Sequence, residues 1–256
     1  MRFKITLSYD GSGFRGWQIQ NNAKTIQECL QGALSTLLKE EIAVTGAGRT
    51  DSQVNAINYV AHFDTSSGNL DASDLGYKIN AILPHGIKVH GIVPAAPGFH
   101  ARFDARQREY KYFIHRSKDP FALGYSYLYT FPLDVGKMNR AAAKLLGTHD
   151  FSCFEKVGGN NKTSICTVSL ARWETYSPDH VRMMGYPAVE DDYLVFTIRA
   201  DRFLRNMVRA VVGTLLEIGR GRRGEDWIDD LLRGGSRSDA GESVPGHALF
   251  LSKVEY

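Results

Sequence analysis

The sequence predicts an α+β fold of two ferredoxin-like halves, each running β-α-β-β-α-β, with mostly antiparallel sheets and helices on one side. Three observations carry this expectation. Apolar residues recur at every second position over 3–9, 57–63 and 110–114, as in half-buried strands. Helix-period stretches with recognisable start signals separate such strands. The same element order then appears twice, with a boundary near Phe103–Arg106, so the expected domains are residues 1–104 and 105–256.

In the first half, Phe3, Ile5, Leu7 and Tyr9 alternate along a strand. Thr25 followed by Glu28 forms a capping box. The helix behind it places Ile26, Leu30, Ala33, Leu34, Leu37 and Leu38 on one face. Residues 42–47 form a short strand, and Ile57, Tyr59, Ala61 and Phe63 alternate along the next. Asp71–Leu83 has helical composition, Pro84 ends it, and 87–93 is again a strand. In the second half, Arg106–His115 is a strand with Tyr110, Tyr112 and Ile114 in phase. Asp134–Leu146 is an Ala-rich helix, and Thr163–Tyr176 and Tyr193–Ala200 are strands. Arg202–Ile218 and Glu225–Leu232 are helices, and Ala248–Tyr256 is a closing strand.

Composition narrows the classes. Hydrophobic residues make up 43% and charged residues 23% of 256, an ordinary globular balance. No apolar run of about 18 residues is present to span a membrane. The chain opens on strand-like Arg2–Ser8, without the pattern of a signal peptide. Three scattered cysteines, Cys29, Cys153 and Cys166, suit reduced thiols in a cytoplasmic protein. The eight histidines show no zinc-ligand spacing, and the net charge of +3 permits nucleic-acid binding without demanding it.

The candidate chemistry centres on Asp51, which follows Gly48-Arg49-Thr50 in a turn between two strand-like runs. Alone, a turn aspartate is explained by its carboxylate bonding its own backbone, and Arg49 by solvation. On the expected helix 202–218, Arg202, Arg205 and Arg209 fall on one stripe beside the apolar stripe of Leu204, Val208, Val211 and Leu215. A guanidinium there can hold a carboxylate through two parallel hydrogen bonds, or a phosphate. Arg102, Arg106, Arg108 and Lys111 form a second basic group, and Arg220, Arg222 and Arg223 a third. Tyr110 and Tyr112 point to the same face, and spacing does not choose between them.

Five spaced segments resemble the tRNA pseudouridine synthase family: Tyr9–Gln20, Gly48–Asp51, Phe99–Phe103 with Glu109–Tyr112, Asn206–Gly213, and the ending Leu249–Tyr256. The resemblance implies isomerisation of uridines 38–40 in the anticodon stem-loop of tRNA, by a homodimer with no metal or organic cofactor. It implies that Asp51 is the nucleophile, Arg209 its ion-pair partner, Arg49 a residue holding the flipped nucleotide, and Tyr110 the platform stacking on the uracil. Arg102, Arg106, Arg108, Arg202 and Arg205 are then candidates for RNA phosphate contact, around an open RNA-binding cleft between the two halves. The chemistry suits these parts. The bond from N1 to the sugar breaks, the ring turns, and C5 takes its place, so no redox group is required. An ionised carboxylate can attack either base or sugar, once the base has left its stack. His100 lies in a matching segment but has no evident chemical role.

One departure matters. Gln53 and Asn55 stand where the family has Gly and His. A left-handed backbone at position 53 would strain glutamine by roughly 1–2 kcal/mol. The departure leaves two alternatives: a non-catalytic tRNA-binding paralogue, or a synthase with shifted uridine specificity. A general RRM-like binder is a weaker rival, since the aromatic octamer of such domains is missing.

Overall fold

The structure, a computed structural model, describes residues 1–68, 70–158, 162–189 and 191–256. Its contacts divide the chain into two compact units, Met1–Arg108 with Phe250–Tyr256, and Glu109–Leu249. The last seven residues thus belong with the first unit, whereas the sequence assigns them to the second half.

The first unit contains β1 (Arg2–Tyr9), α1 (Ile26–Leu38), β2 (Val44–Gly46), β3 (Asn55–Asp64), α2 (Ala72–Ile82), β4 (Ile87–Pro94) and most of β10 (Leu249–Glu255). Strands β4-β1-β3-β2 are adjacent in that order and antiparallel, as a βαββαβ half requires. β10 adds to the same edge of β3 as β2. It runs parallel and pairs Phe250 with Asn55, while β2 pairs with Ala61–Phe63. The Thr25–Glu28 capping box forms in both directions, and Asp71 caps α2 by accepting from Ser73 N and Asp74 N. Each cap satisfies amides that the first helical turn leaves unpaired.

Strand β1 keeps the predicted alternation, with Phe3, Ile5, Leu7 and Tyr9 all buried. β3 does not. Leu7 pairs with Tyr59 but Tyr9 pairs with Ala56, so β3 carries one extra residue there. This bulge shifts the phase: Ala56 turns inward, and Ile57, expected inside, is 48% exposed. Beyond the bulge β3 is buried on both faces. Phe63 stacks on Phe3 at 5.6 Å in the main core. Val60, on the opposite face, packs with Ala47, Ala101, Phe99 and Val254 in a second, smaller core.

The second unit contains β5 (Gln107–His115, its residues from Glu109 on), β6 (Tyr127–Leu128), α3 (Val135–Ala143), β7 (Gly147–Asp150), β8 (Ile165–Thr175), α4 (Asp179–Arg182), β9 (Tyr193–Ala200), α5 (Met207–Gly219) and α6 (Trp227–Leu232). Strand order is β5-β9-β8-β7, with β6 beside β5. β6, β7 and α4 are additions to the expected elements. The helix predicted over 134–146 ends at Ala143, and Gly147 at φ 100° redirects the chain into β7.

The helix predicted from Arg202 begins at Met207 instead. Asn206 sits at φ 65°, outside the helical region, and breaks the periodicity that had carried Arg202 and Arg205 onto the stripe of Arg209. Those two arginines therefore lie in a loop, and Leu204 is buried from that loop rather than from the helix. Free thiols Cys153 and Cys166 are both buried, and burial pushes each up to about 12. No helix among the described residues is long and apolar enough to cross a membrane.

Candidate active site

Asp51 opens a tight turn immediately before β3. Val54 N donates to Asp51 O at 3.2 Å, and between them Gln53 adopts φ 67°. A positive φ at the third turn position is normally met by glycine, so the strain foreseen from the sequence is present. Asp51 is half-buried, while Arg49 and Gln53 are exposed.

The turn is held from beneath by the segment Tyr9–Trp17. Tyr9 OH and Thr50 Oγ1, both buried, lie 2.9 Å apart. Trp17 N donates to Thr50 O at 3.1 Å. On the other side of the turn Gly11 N donates to Oδ1 of Asn55 at 2.7 Å, and Asn55 is 2% exposed. Two glycines permit this approach. A Cβ at Gly11 would lie 2.3 Å from Val54 O, and one at Gly16, itself at φ 87°, would lie 2.5 Å from Thr50 O. Trp17 stacks on Tyr59 at 4.2 Å, and Gly46 leaves room for both rings. The Tyr59 hydroxyl donates to Gly48 O, anchoring the approach to Arg49. Sequence reading quoted this opening segment but gave it no task. The three glycines within Gly11–Gly16, ahead of a tryptophan, were the available signal of a close backbone approach.

Arg209 lies in the first turn of α5. Its Nε donates to Val244 O at 2.7 Å, which fixes the guanidinium plane. Gly213 and Thr214 bring residues 241–244 against the helix. A Cβ at Gly213 would sit 1.7 Å from Glu242 O, and Gly241 N donates to Thr214 Oγ1 at 2.9 Å. Asn206 Nδ2 donates to Ser243 Oγ at 2.6 Å, which helps hold its left-handed backbone.

The two tyrosines are now distinguished. Tyr112 is fully buried, its hydroxyl donates to Pro245 O at 3.0 Å, and burial raises its pKa. It is a core residue. Tyr110 is half-buried and stands edge-on to Phe203, with ring centroids 5.0 Å apart. Its neighbour Glu109 accepts from Arg199 at 2.6 Å, tying β5 to β9.

Of the basic residues, Arg102, Arg106 and Arg205 are exposed and Arg202 is half-buried. Arg108 has a different task from phosphate contact. Its guanidinium donates to Ala105 O at 2.9 Å, Ala47 O at 3.0 Å and Arg102 O at 2.6 Å, closing the loop that precedes β5. His100 also proves architectural: its Nδ1 accepts from Arg102 N and Phe103 N, each at 3.2 Å, and its ring stacks on Phe103.

A family profile described as tRNA pseudouridine synthase matches residues 5–104 and 141–256. The chain belongs to that family. It is similar to the tRNA pseudouridine synthase A of Bacteroides fragilis, with 47% identity over all of this chain and 96% of the relative. The like-named protein of Bacteroides thetaiotaomicron is also 47% identical, over all of this chain and 90% of that one. A chain from the crystal structure of an archaeal box H/ACA sRNP Nop10–Cbf5 complex superposes at a TM-score of 0.34, with 12% identity over 84% of this chain and 44% of that chain, too distant to inform the site. The chain is thus an enzyme of the isomerase class, a tRNA pseudouridine synthase. Membership sets aside the RRM-like rival.

Proposed function

We propose that this synthase isomerises uridines 38–40 in the anticodon stem-loop of tRNA, with the carboxylate of Asp51 as nucleophile. The observation that carries this reading is the turn itself. A half-buried aspartate opens a turn that is strained at Gln53 and held on both sides by buried hydrogen bonds of Thr50 and Asn55, in the segment that resembles the family's catalytic motif. Strain of this kind persists where surroundings over-determine it, and it concentrates at functional sites.

In this mechanism the guanidinium of Arg209 pairs with the Asp51 carboxylate and orients it for attack. Its Nε bond to Val244 O supports that role by orienting the guanidinium. Arg49, exposed beside the turn, occupies the space the flipped nucleotide vacates, and Tyr110 stacks on the uracil, offsetting the cost of unstacking. The glycosidic bond to N1 breaks, the uracil rotates, and C5 bonds to the sugar carbon. The C5 proton leaves and N1 ends protonated, so atoms and electrons balance without a co-reactant. Arg102, Arg106, Arg202 and Arg205 contact phosphates and set the register of the stem. The working form is a homodimer in the cytoplasm.

The experiment is a site-resolved pseudouridine map of unmodified tRNA transcripts after incubation with the protein. Pseudouridine confined to positions 38–40 supports the assignment. Modification elsewhere, with those positions untouched, overturns the specificity and favours a shifted uridine choice, for which the Gln53 and Asn55 departures are the motivating observation.

A further inference from the structure

The sequence departure at position 55 acquires a physical role from the structure. Asn55 is a buried polar residue at the first position of β3, beside the bulge that re-phases the strand. Its Oδ1 accepts the amide of Gly11 at 2.7 Å. Gly11 in turn lies so close to the peptide after Gln53 that no side chain fits between them. The carboxamide therefore ties the far end of the Asp51 turn to the segment that already holds its near end through Tyr9, Trp17 and Thr50. Gln53, at φ 67°, lies between the two ties. Without the second tie, the turn has a route to release its strain by moving residues 52–54.

We propose that Asn55 is a positioning residue for Asp51, acting through the Gly11 amide to keep the turn in its strained, working conformation. This rests on the reading of Asp51 as nucleophile. Asn55 touches no reacting atom. Its effect is on the rate of the chemical step, since reacting groups misplaced by about 1 Å lose on the order of a hundredfold, while tRNA binding through phosphates is left in place.

The test is single-turnover pseudouridine formation at saturating tRNA transcript, with tRNA affinity measured separately. Asn55→Ala is expected to slow the rate at least tenfold with affinity within twofold of wild type. Asn55→His returns an acceptor nitrogen toward the Gly11 amide and is expected to restore the rate to within threefold of wild type. A rate for Asn55→Ala within twofold of wild type overturns the proposal. So does a loss matched by an equal loss of tRNA affinity, or an Asn55→His variant as slow as Asn55→Ala. Should Asn55→Ala fail to fold, Asn55→His alone decides: folded and fast supports the latch, folded and slow overturns it. Asp51→Asn in the same assay separates this inference from its premise, because a fully active Asp51→Asn removes the nucleophile whatever Asn55 does.

Discussion

Replacing Gln53 by glycine is expected to stabilise the protein, against the usual direction for glycine. At φ 67° a side chain meets its own backbone, a penalty of about 1–2 kcal/mol for any residue with a Cβ. Glycine removes that penalty but adds unfolded-state freedom costing about 0.4–1 kcal/mol. Gln53 is exposed, so little packing is lost with its side chain. The balance is a gain of about 0.5–1 kcal/mol, or about 1–4 °C in Tm for a chain of this size. Gln53→Ala is the control, because it removes the same carboxamide yet keeps the Cβ in the strained conformation. Calorimetry of the free protein is expected to show a higher Tm for Gln53→Gly than for both wild type and Gln53→Ala. A Gln53→Gly variant no more stable than Gln53→Ala would refute the claim that the turn stores backbone strain.

Gly11→Ala is expected to push the Val54 peptide aside, because its new Cβ would begin 2.3 Å from that carbonyl oxygen. Overpacking of this kind costs about 1–3 kcal/mol, and activity assays with parallel melting curves check that turnover falls further than stability. Arg108→Met is expected to lose about 2–4 kcal/mol, as three carbonyls give up a charged donor. Its salt dependence of tRNA binding stays that of wild type, whereas Arg106→Ala lowers the log–log salt slope by about one contact. Stability also falls with acidification. Burial, with the charges of Arg2 and His100 behind it, lowers the pKa of His62, and burial lowers that of His115. A histidine whose folded pKa lies below its unfolded value of about 6.5 contributes stability in full above that value and loses it as pH falls through the folded pKa. Urea midpoints are thus expected to drop between pH 7.5 and 5.5, and a constant midpoint contradicts the assignment.

Much of the fold was legible because local signals agreed with tertiary packing. The alternation in 3–9 and the Thr25–Glu28 box each specify their element from within a few residues. Tyr193–Ala200 emerged with its predicted bounds. Two of the misreadings share a cause: a local backbone irregularity resets a period that sequence reading assumes continuous. The extra residue near Ala56 turned Ile57 outward. Asn206 at φ 65° cut five residues from the start of α5 and dissolved the Arg202–Arg205–Arg209 stripe. The residues nominated for the site were visible by type and motif. Their supports were not, because Tyr9 with Thr50, Gly11 with Asn55, and Arg209 with Val244 are separated by 41, 44 and 35 positions. No local pattern encodes such pairings. Arg108 shows the same limit in reverse, since a basic residue in a basic cluster turned inward to backbone carbonyls.

The most direct test of the account is the rate of pseudouridine formation by Asp51→Asn, with tRNA binding measured on the same preparation. Asparagine keeps the shape of the turn and removes only the charge. The expected result is tRNA bound as by wild type and no pseudouridine formed within the time of many wild-type turnovers. Pseudouridine appearing at the wild-type rate would show that the clamped carboxylate does not carry the chemistry.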